Sequence, residues 1–316
     1  MADETSDSRR LSLKSAAISR RAFLKTTMAA LATSSLSCCS PGKRKSGAVR
    51  FGMVTDCHYA DAAPKGSRHY RQSLDKLAEC VDVMNAADVD FVVELGDFKD
   101  QNTPPTEEST LAYLEKIEAV FQGFKGSTYH VLGNHDTDSI SKEQFLSRVH
   151  NTSIEPERSY YSFDRGNVRF IVLDANFRAD GTPYGYGNFN WADANIPLAE
   201  MDWLRKTLAE APGHCIVFTH QLLHGKGNTV ANNAAEVCRT LASSNKVLAV
   251  FEGHHHRGDY AFDHNIHFYT LKAMVEGSGE RDNAYAIVEV GPTGDIGVTG
   301  YRRATSMRLP YRLKSE

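Results

Sequence analysis

The chain has 316 residues, 41% of them hydrophobic and 24% charged, the balance of an ordinary globular enzyme. A formal net charge of −3 provides no basic surface at chain level, which argues against nucleic acid as a partner. No uncharged apolar run is long enough to be a convincing membrane span, and length alone leaves one large domain or two open.

The first 39 residues are a different material. Ser19-Arg20-Arg21-Ala22-Phe23-Leu24-Lys25, followed by a mildly apolar stretch at 28–36, resembles a bacterial twin-arginine export signal. The twin-arginine machinery is then an expected partner, and a periplasmic or other extracytoplasmic location is expected. Such a segment takes no part in the fold. Removing residues 1–38 takes away six basic residues against three acidic ones, so the remainder is more acidic still. Leu36-Ser37-Cys38-Cys39 is similar to a lipoprotein cleavage box, with Cys38 where Gly, Ala or Ser is usual. Lipidation at Cys39 is the one route by which a membrane becomes a partner. Residues 40–48, with Lys43-Arg44-Lys45, read as a solvated linker, and 49–316 as the folded domain.

In that domain an apolar run at 49–55 reads as a strand. Tyr70, Leu74, Leu77, Val81 and Met84 recur at helical spacing within 67–87. A buried strand is expected at 90–95, a helix at 107–121, a strand at 128–132, and a short helix at 141–149 with Ser141 as N-cap. Runs at 160–164 and 168–174 form a hairpin around Arg165-Gly166. Residues 175–195, rich in Gly, Asn, Tyr and Asp, form a loop of a length that is usually functional or disordered. Then come a helix at 198–208, a strand at 215–218, a helix at 230–242 and a strand at 247–251. The tail is all strand, at 260–262, 266–271, 284–290 and 296–301. This succession predicts two packed sheets with helices outside. Cys57, Cys80, Cys215 and Cys238 form no C-x-x-C pair and read as small buried hydrophobes.

Five of these strands end in polar clusters: Asp56-Cys57-His58, Gly96-Asp97, Gly133-Asn134-His135-Asp136, Thr219-His220 and Gly253-His254-His255-His256. Strand ends are where an open α/β sheet gathers its chemistry. Imidazole with carboxylate and amide oxygen suits Mn, Fe, Co or Zn, and no thiolate cluster points to a structural zinc knot. Two such metals roughly 3.5–4 Å apart clamp the attacking and leaving oxygens of an in-line displacement. Asp97, directly after a glycine, is the best candidate for a carboxylate shared between them.

The five clusters, in this order, resemble the D-x-H, G-D-x-x-D/N, G-N-H-D/E, T/S/G-H and G-H-x-H blocks of the calcineurin-like binuclear metallophosphoesterases. The resemblance covers about residues 49–275 and implies a four-layer α/β/β/α sandwich. It also implies hydrolysis of a phosphoester or pyrophosphate bond of a small phosphorylated substrate by a metal-bridging hydroxide. By this resemblance Asp56, His58, Asp97 and His256 hold one divalent metal, and Asp97, Asn134, His220 and His254 hold the other. His135 touches the scissile phosphate and protonates the leaving oxygen, Asp136 orients His135, and Asp100 supports its loop. The segments 51–61, 68–73, 92–100, 168–175 and 251–277 resemble more narrowly the manganese-dependent ADP-ribose/CDP-alcohol diphosphatases, which makes manganese the expected metal. That group's animal members carry Gln in place of His58 and Glu in place of Asp136. A broad phosphomonoesterase or phosphodiesterase is the alternative. A non-catalytic binding protein on this fold would be expected to have lost ligands, and none is lost here. For substrate, His224 is either a phosphate contact or a polar loop residue. Tyr59, Tyr70, Arg71 and the loop 184–191 are candidate walls. His130 and the remaining histidines read as structural or surface residues.

Overall fold

A computed structural model describes residues 47–311. The export signal, Cys39 and the linker up to residue 46 lie outside the described residues.

One sheet contains β1 (Val49–Val54), β2 (Phe91–Glu94), β3 (Ser127–His130), β10 (Ala284–Val290), β11 (Ile296–Arg302) and β12 (Met307–Leu309). Its order is β12-β11-β10-β1-β2-β3, with β1, β2 and β3 parallel and β10 antiparallel to β1. The other contains β4 (Tyr161–Arg165), β5 (Val168–Val172), β6 (His214–Thr219), β7 (Val247–Glu252), β8 (Asp259–Asp263) and β9 (Ile266–Thr270), ordered β4-β5-β6-β7-β9-β8. Here β5, β6, β7 and β9 run parallel. Strands buried on both faces should be near-continuous hydrophobic runs, as β2 and β7 are.

The inner faces of the sheets meet in an aromatic core. Phe51 stacks on Phe91 at 5.0 Å between ring centroids. Edge-on, it meets Phe170 at 5.5 Å, Phe218 at 5.5 Å and Phe251 at 5.8 Å. The outer face of the first sheet is covered by α1 (Ser73–Ala87), α2 (Glu107–Phe121) and α3 (Lys142–Leu146). In α1 the buried Leu77, Cys80, Val81 and Met84 form one apolar stripe. The second sheet is covered by α4 (Leu198–Ala209) and α5 (Ala234–Ser244). The result is the four-layer α/β/β/α sandwich that the sequence predicts. Cys57, Cys80 and Cys215 are buried and Cys238 partly so, all four with free thiols.

Two helices begin later than periodicity predicts. Before α1, Arg68 is bridged to Lys65 and Glu276, the His69 N–H bonds to the Val275 carbonyl, and a 3₁₀ turn (Tyr70–Gln72) leads into the helix. Residues before α5 close the loop after β6: Leu222 pairs with Val230, and the Ala231 N–H bonds to the Leu222 carbonyl. Ser141 does cap α3, in a capping box with Gln144. Because Phe51 touches rings from both sheets, Phe51→Ala should lower unfolding free energy by about 3–5 kcal/mol, read from urea denaturation.

Candidate active site

The five clusters follow β1, β2, β3, β6 and β7, and all five loops converge on one place. Asp56, His58, Asp97 and His254 sit in the left-handed backbone region, with φ of 52°, 45°, 57° and 63°. Asp and His tolerate that region better than most residues, and such conformations gather where the surroundings over-determine them. Here the surroundings are close-packed glycines and backbone. A Cβ on Gly96 would lie 2.6 Å from His220 Nδ1, and one on Gly133 would lie 2.1 Å from the Asp97 nitrogen. Only hydrogen fits at either position. Below them Glu94 accepts the Gly96 N–H at 2.8 Å, and His130 lies 3.5 Å from Glu94 and 3.1 Å from Glu118. His130 is thus a buried structural residue supporting the loop.

Three imidazoles are oriented in the same way. His58 Nδ1 donates to Asp100 at 3.1 Å, His220 Nδ1 to the Leu95 carbonyl at 2.9 Å, and His256 Nδ1 to Glu276 at 2.6 Å. With Nδ1–H committed, Nε2 of each ring faces inward. The inward atoms crowd one another. His58 Nε2 is 3.2 Å from His256 Nε2, and His256 Nε2 is 3.2 Å from Asp56 Oδ1. Asp97 Oδ2 lies 3.1 Å from His220 Nε2 and 3.5 Å from His58 Nε2, so this one oxygen faces both groups. Asp56 Oδ1, Asn134 Oδ1, His220 Nε2 and His254 Nε2 are buried without a hydrogen-bond partner. The close pairs therefore do not satisfy these atoms as hydrogen bonds.

Acceptors facing acceptors require positive charge. Burial disfavours a charged His58, yet the carboxylates of Asp100, Asp56 and Asp97 outweigh it and raise its pKa to about 10. Burial likewise opposes charge on His220, and Asp97 overrides it to about 9. Burial would also raise the Asp56 carboxyl, but His256 and His58 hold it well below the usual range. His254 moves the other way: burial and the neighbouring His220 push it down to about 3, leaving a neutral ring with a free lone pair. Four groupings of the described residues have ligand atoms near enough for an ion: Asp56-His58-His256 and Asp97-His220-His254, and, through His135, His58-Asp97-His135 and Asp100-His135-Asp138. Asp97 belongs to two of these groupings, and the Asn134 oxygen is buried without a partner. These oxygen and nitrogen donors fit two divalent transition metals.

His135 stands beside the first grouping, its ring 4.9 Å from that of His58, and its backbone N–H donates to Asp97 Oδ1 at 2.7 Å. Its side chain is 25% exposed, which leaves it open to a substrate. The structure corrects the role expected of Asp136. That carboxylate accepts the backbone N–H groups of Gly133 at 2.8 Å, Asp97 at 2.9 Å and Phe98 at 2.9 Å, so it clamps the loop backbone. Pointing into the protein, it is not the partner of the adjacent histidine. Burial and the charge of Asp97 push its carboxyl up to about 6. The residue that holds His135 is Asp138, whose Oδ2 accepts from Nδ1 at 2.9 Å. The other Asp138 oxygen is held at 2.6 Å by the buried ammonium of Lys99.

Sequence reasoning missed Asp138, Lys99 and the His256 partner Glu276. It placed Asp100 in a supporting role, which its bond to His58 makes specific. Glu276 lies within the stretch 251–277 that the resemblance singled out, but nothing there distinguishes it from a surface acid. Among the expected substrate residues, Tyr59 is only 2% exposed and packs on Tyr113, which removes it from any substrate wall. Arg71 is exposed and paired with Asp61 through both its carboxylate and its carbonyl. His224 turns toward Asp263, 3.8 Å away, and packs on Phe268, away from the ligand groupings. The loop before α4 does reach the site: the Phe189 ring is 5.7 Å from His135 and the Trp191 ring 6.2 Å from His254.

Comparison with known proteins agrees with this geometry. The chain is 26% identical over 286 residues to a manganese-dependent ADP-ribose/CDP-alcohol diphosphatase of Oryza sativa subsp. japonica, covering 77% of this chain and 88% of that protein. It is 27% identical over 273 residues to the protein of that name in Arabidopsis thaliana, covering 72% and 86%. Its fold is similar to that of a dimetal phosphatase from Danio rerio, with TM-score 0.72, 21% identity, and coverage of 84% of this chain and 99% of that one. Residues 49–258 match the family model described as calcineurin-like phosphoesterase. That match runs from the first strand through the last of the five clusters, and the chain belongs to the calcineurin-like phosphoesterase family.

Proposed function

We propose that this protein is a binuclear metal-dependent phosphohydrolase that cleaves the pyrophosphate of nucleoside diphosphate-linked sugars or alcohols. The observation that carries the reaction class is the set of buried lone pairs facing one another around Asp97. The names of the plant relatives support the substrate class. Asp56, His58, Asp97 and His256 hold one metal, and Asp97, Asn134, His220 and His254 the other, with manganese the expected ion. When bound, the metals supply Lewis-acid stabilisation of phosphoryl charge and bring the pKa of water toward neutrality.

The chain's own residues do the rest. Asp100, Glu276 and the Leu95 carbonyl keep three imidazoles aimed inward, so little reorganisation accompanies the reaction. His135, fixed through Nδ1 by Asp138, presents Nε2 to the substrate and from it gives a proton to the leaving oxygen. Lys99 holds Asp138 in place. Residues 1–39 act as an export signal for this domain, as the Arg20-Arg21 segment supports, which fits scavenging of organic phosphate outside the cytoplasm. Mass spectrometry of the mature N-terminus tests that reading, including lipidation at Cys39.

His135→Ala should lower kcat by about 10²–10⁴-fold, the range for loss of a positioned general acid, with metal content unchanged by elemental analysis. Asp97→Asn should lose both metal and turnover. Exhaustive chelation should abolish activity and added Mn²⁺ restore it; full turnover by verified metal-free protein would falsify the mechanism. Steady-state assays of ADP-ribose, CDP-choline, p-nitrophenyl phosphate and its bis-ester separate a diphosphatase from a broad phosphoesterase.

Asp138→Asn should cost about 10–100-fold in kcat, as loss of a histidine's carboxylate partner does, and should also lower stability because the buried Lys99 ammonium loses its carboxylate. Asp136→Ala should act on folding and not selectively on kcat, lowering the unfolding free energy read from urea denaturation by about 1–3 kcal/mol for each backbone N–H left unpaired. A stable Asp136→Ala variant with a selective kcat defect would restore Asp136 as the partner of His135.

A further inference from the structure

The loop between β5 and α4 is built rather than loose. At its start Asn176 donates to the Leu132 carbonyl at 2.7 Å and accepts from Gln221 at 2.6 Å. Those partners directly precede the Gly133-Asn134 cluster and follow His220, so the loop is pinned to two of the ligand-bearing loops. Internally the Tyr184 hydroxyl donates to the Asn190 carbonyl at 2.6 Å, and the Asn188 side chain joins the Gly185 N–H to the Pro183 carbonyl. Tyr184 is buried and meets Phe189 edge-on at 5.9 Å. This scaffold sets Phe189 against His135, and Trp191 against His254.

Trp191 nonetheless remains 42% exposed and Phe189 only half-buried. Large aromatic surface held on a bonded loop, open to solvent and touching both the proton donor and a metal ligand, contributes little to folding. It does offer π faces beside the place where phosphorus would be held. We propose that Phe189 and Trp191 form the wall on which the nucleobase of a nucleoside diphosphate-linked substrate stacks, so that this loop selects substrates by their planar base. The proposal rests on the hydrolase reading above and assigns the substrate half that lies away from the cleaved bond. Stacking tolerates any base, because each presents a π face. The wall therefore selects for a nucleotide and not for one particular base.

The chain has two tryptophans. Trp203 lies on α4 against Tyr160, at 5.0 Å. Trp203→Phe therefore leaves Trp191 as the only indole reporter. Titrating that metal-loaded variant with AMP should give a saturable fluorescence change that phosphocholine and inorganic phosphate do not reproduce. Trp191→Ala and Phe189→Ala should each raise KM for ADP-ribose about tenfold, as loss of one base-stacking partner does, while leaving Ki for inorganic phosphate unchanged. Trp191→Phe should recover most of the loss, which separates stacking from folding.

No AMP-dependent change, or a change with phosphocholine alone, overturns the base assignment, the latter in favour of a quaternary-ammonium site. So does a Trp191→Ala variant in which KM for ADP-ribose and Ki for phosphate rise together. Failure of the hydrolase reading looks different: the wild-type protein would turn over no phosphate substrate with metal supplied, whatever the fluorescence shows.

Discussion

The Asp97 carboxylate shares a buried, close-packed space with Asp56 and with three imidazole nitrogens, and such an arrangement persists only when positive charge is supplied among the acceptors. Outward-directed bonds at Nδ1 force the inward lone pairs together at His58, His220 and His256. The same bonds stop the rings from turning away. The left-handed backbone at four of the site residues, the glycines that admit nothing larger and the Asp136 clamp all hold groups that would otherwise separate. The energy for this comes from elsewhere in the molecule.

That energy comes from the sandwich. The aromatic contacts of Phe51 join both sheets and hold their strand ends in a fixed relation. His220, from one sheet, can therefore bond to the carbonyl of Leu95 in the other. Neither sheet alone contains a complete site: Asp56, Asp97 and Asn134 follow strands of one, and His220 and His254 follow strands of the other. The outer helices seal the sheets and leave the loop edge open. There the aromatic loop before α4 borders His135 on one side and His254 on the other.

The histidine–carboxylate pairs show where sequence reading runs out. A one-dimensional pattern assigned the partner of His135 to its neighbour Asp136, because adjacency is the only proximity a sequence displays. The short turn after Asn134 sends the Asp136 side chain inward to four backbone N–H groups and brings Asp138, three residues after His135, back to its ring. Glu276 reaches His256 across twenty residues by a chain reversal that periodicity does not mark. Tyr59 illustrates the opposite error. A tyrosine beside a ligand looks like a substrate contact until the pairing of its backbone with Lys99 turns its ring into the core.

By itself the sequence determined two packed sheets with helices outside, the succession of strands and helices along the chain and the identity of the ligand-type residues. These follow from local periodicity and from side-chain chemistry that is the same in any context. Tertiary structure alone decided which carboxylate serves which imidazole and which aromatic rings border the site. Those are distances between groups far apart in the chain, or directions set by a single turn, and both arise only when two sheets pack face to face.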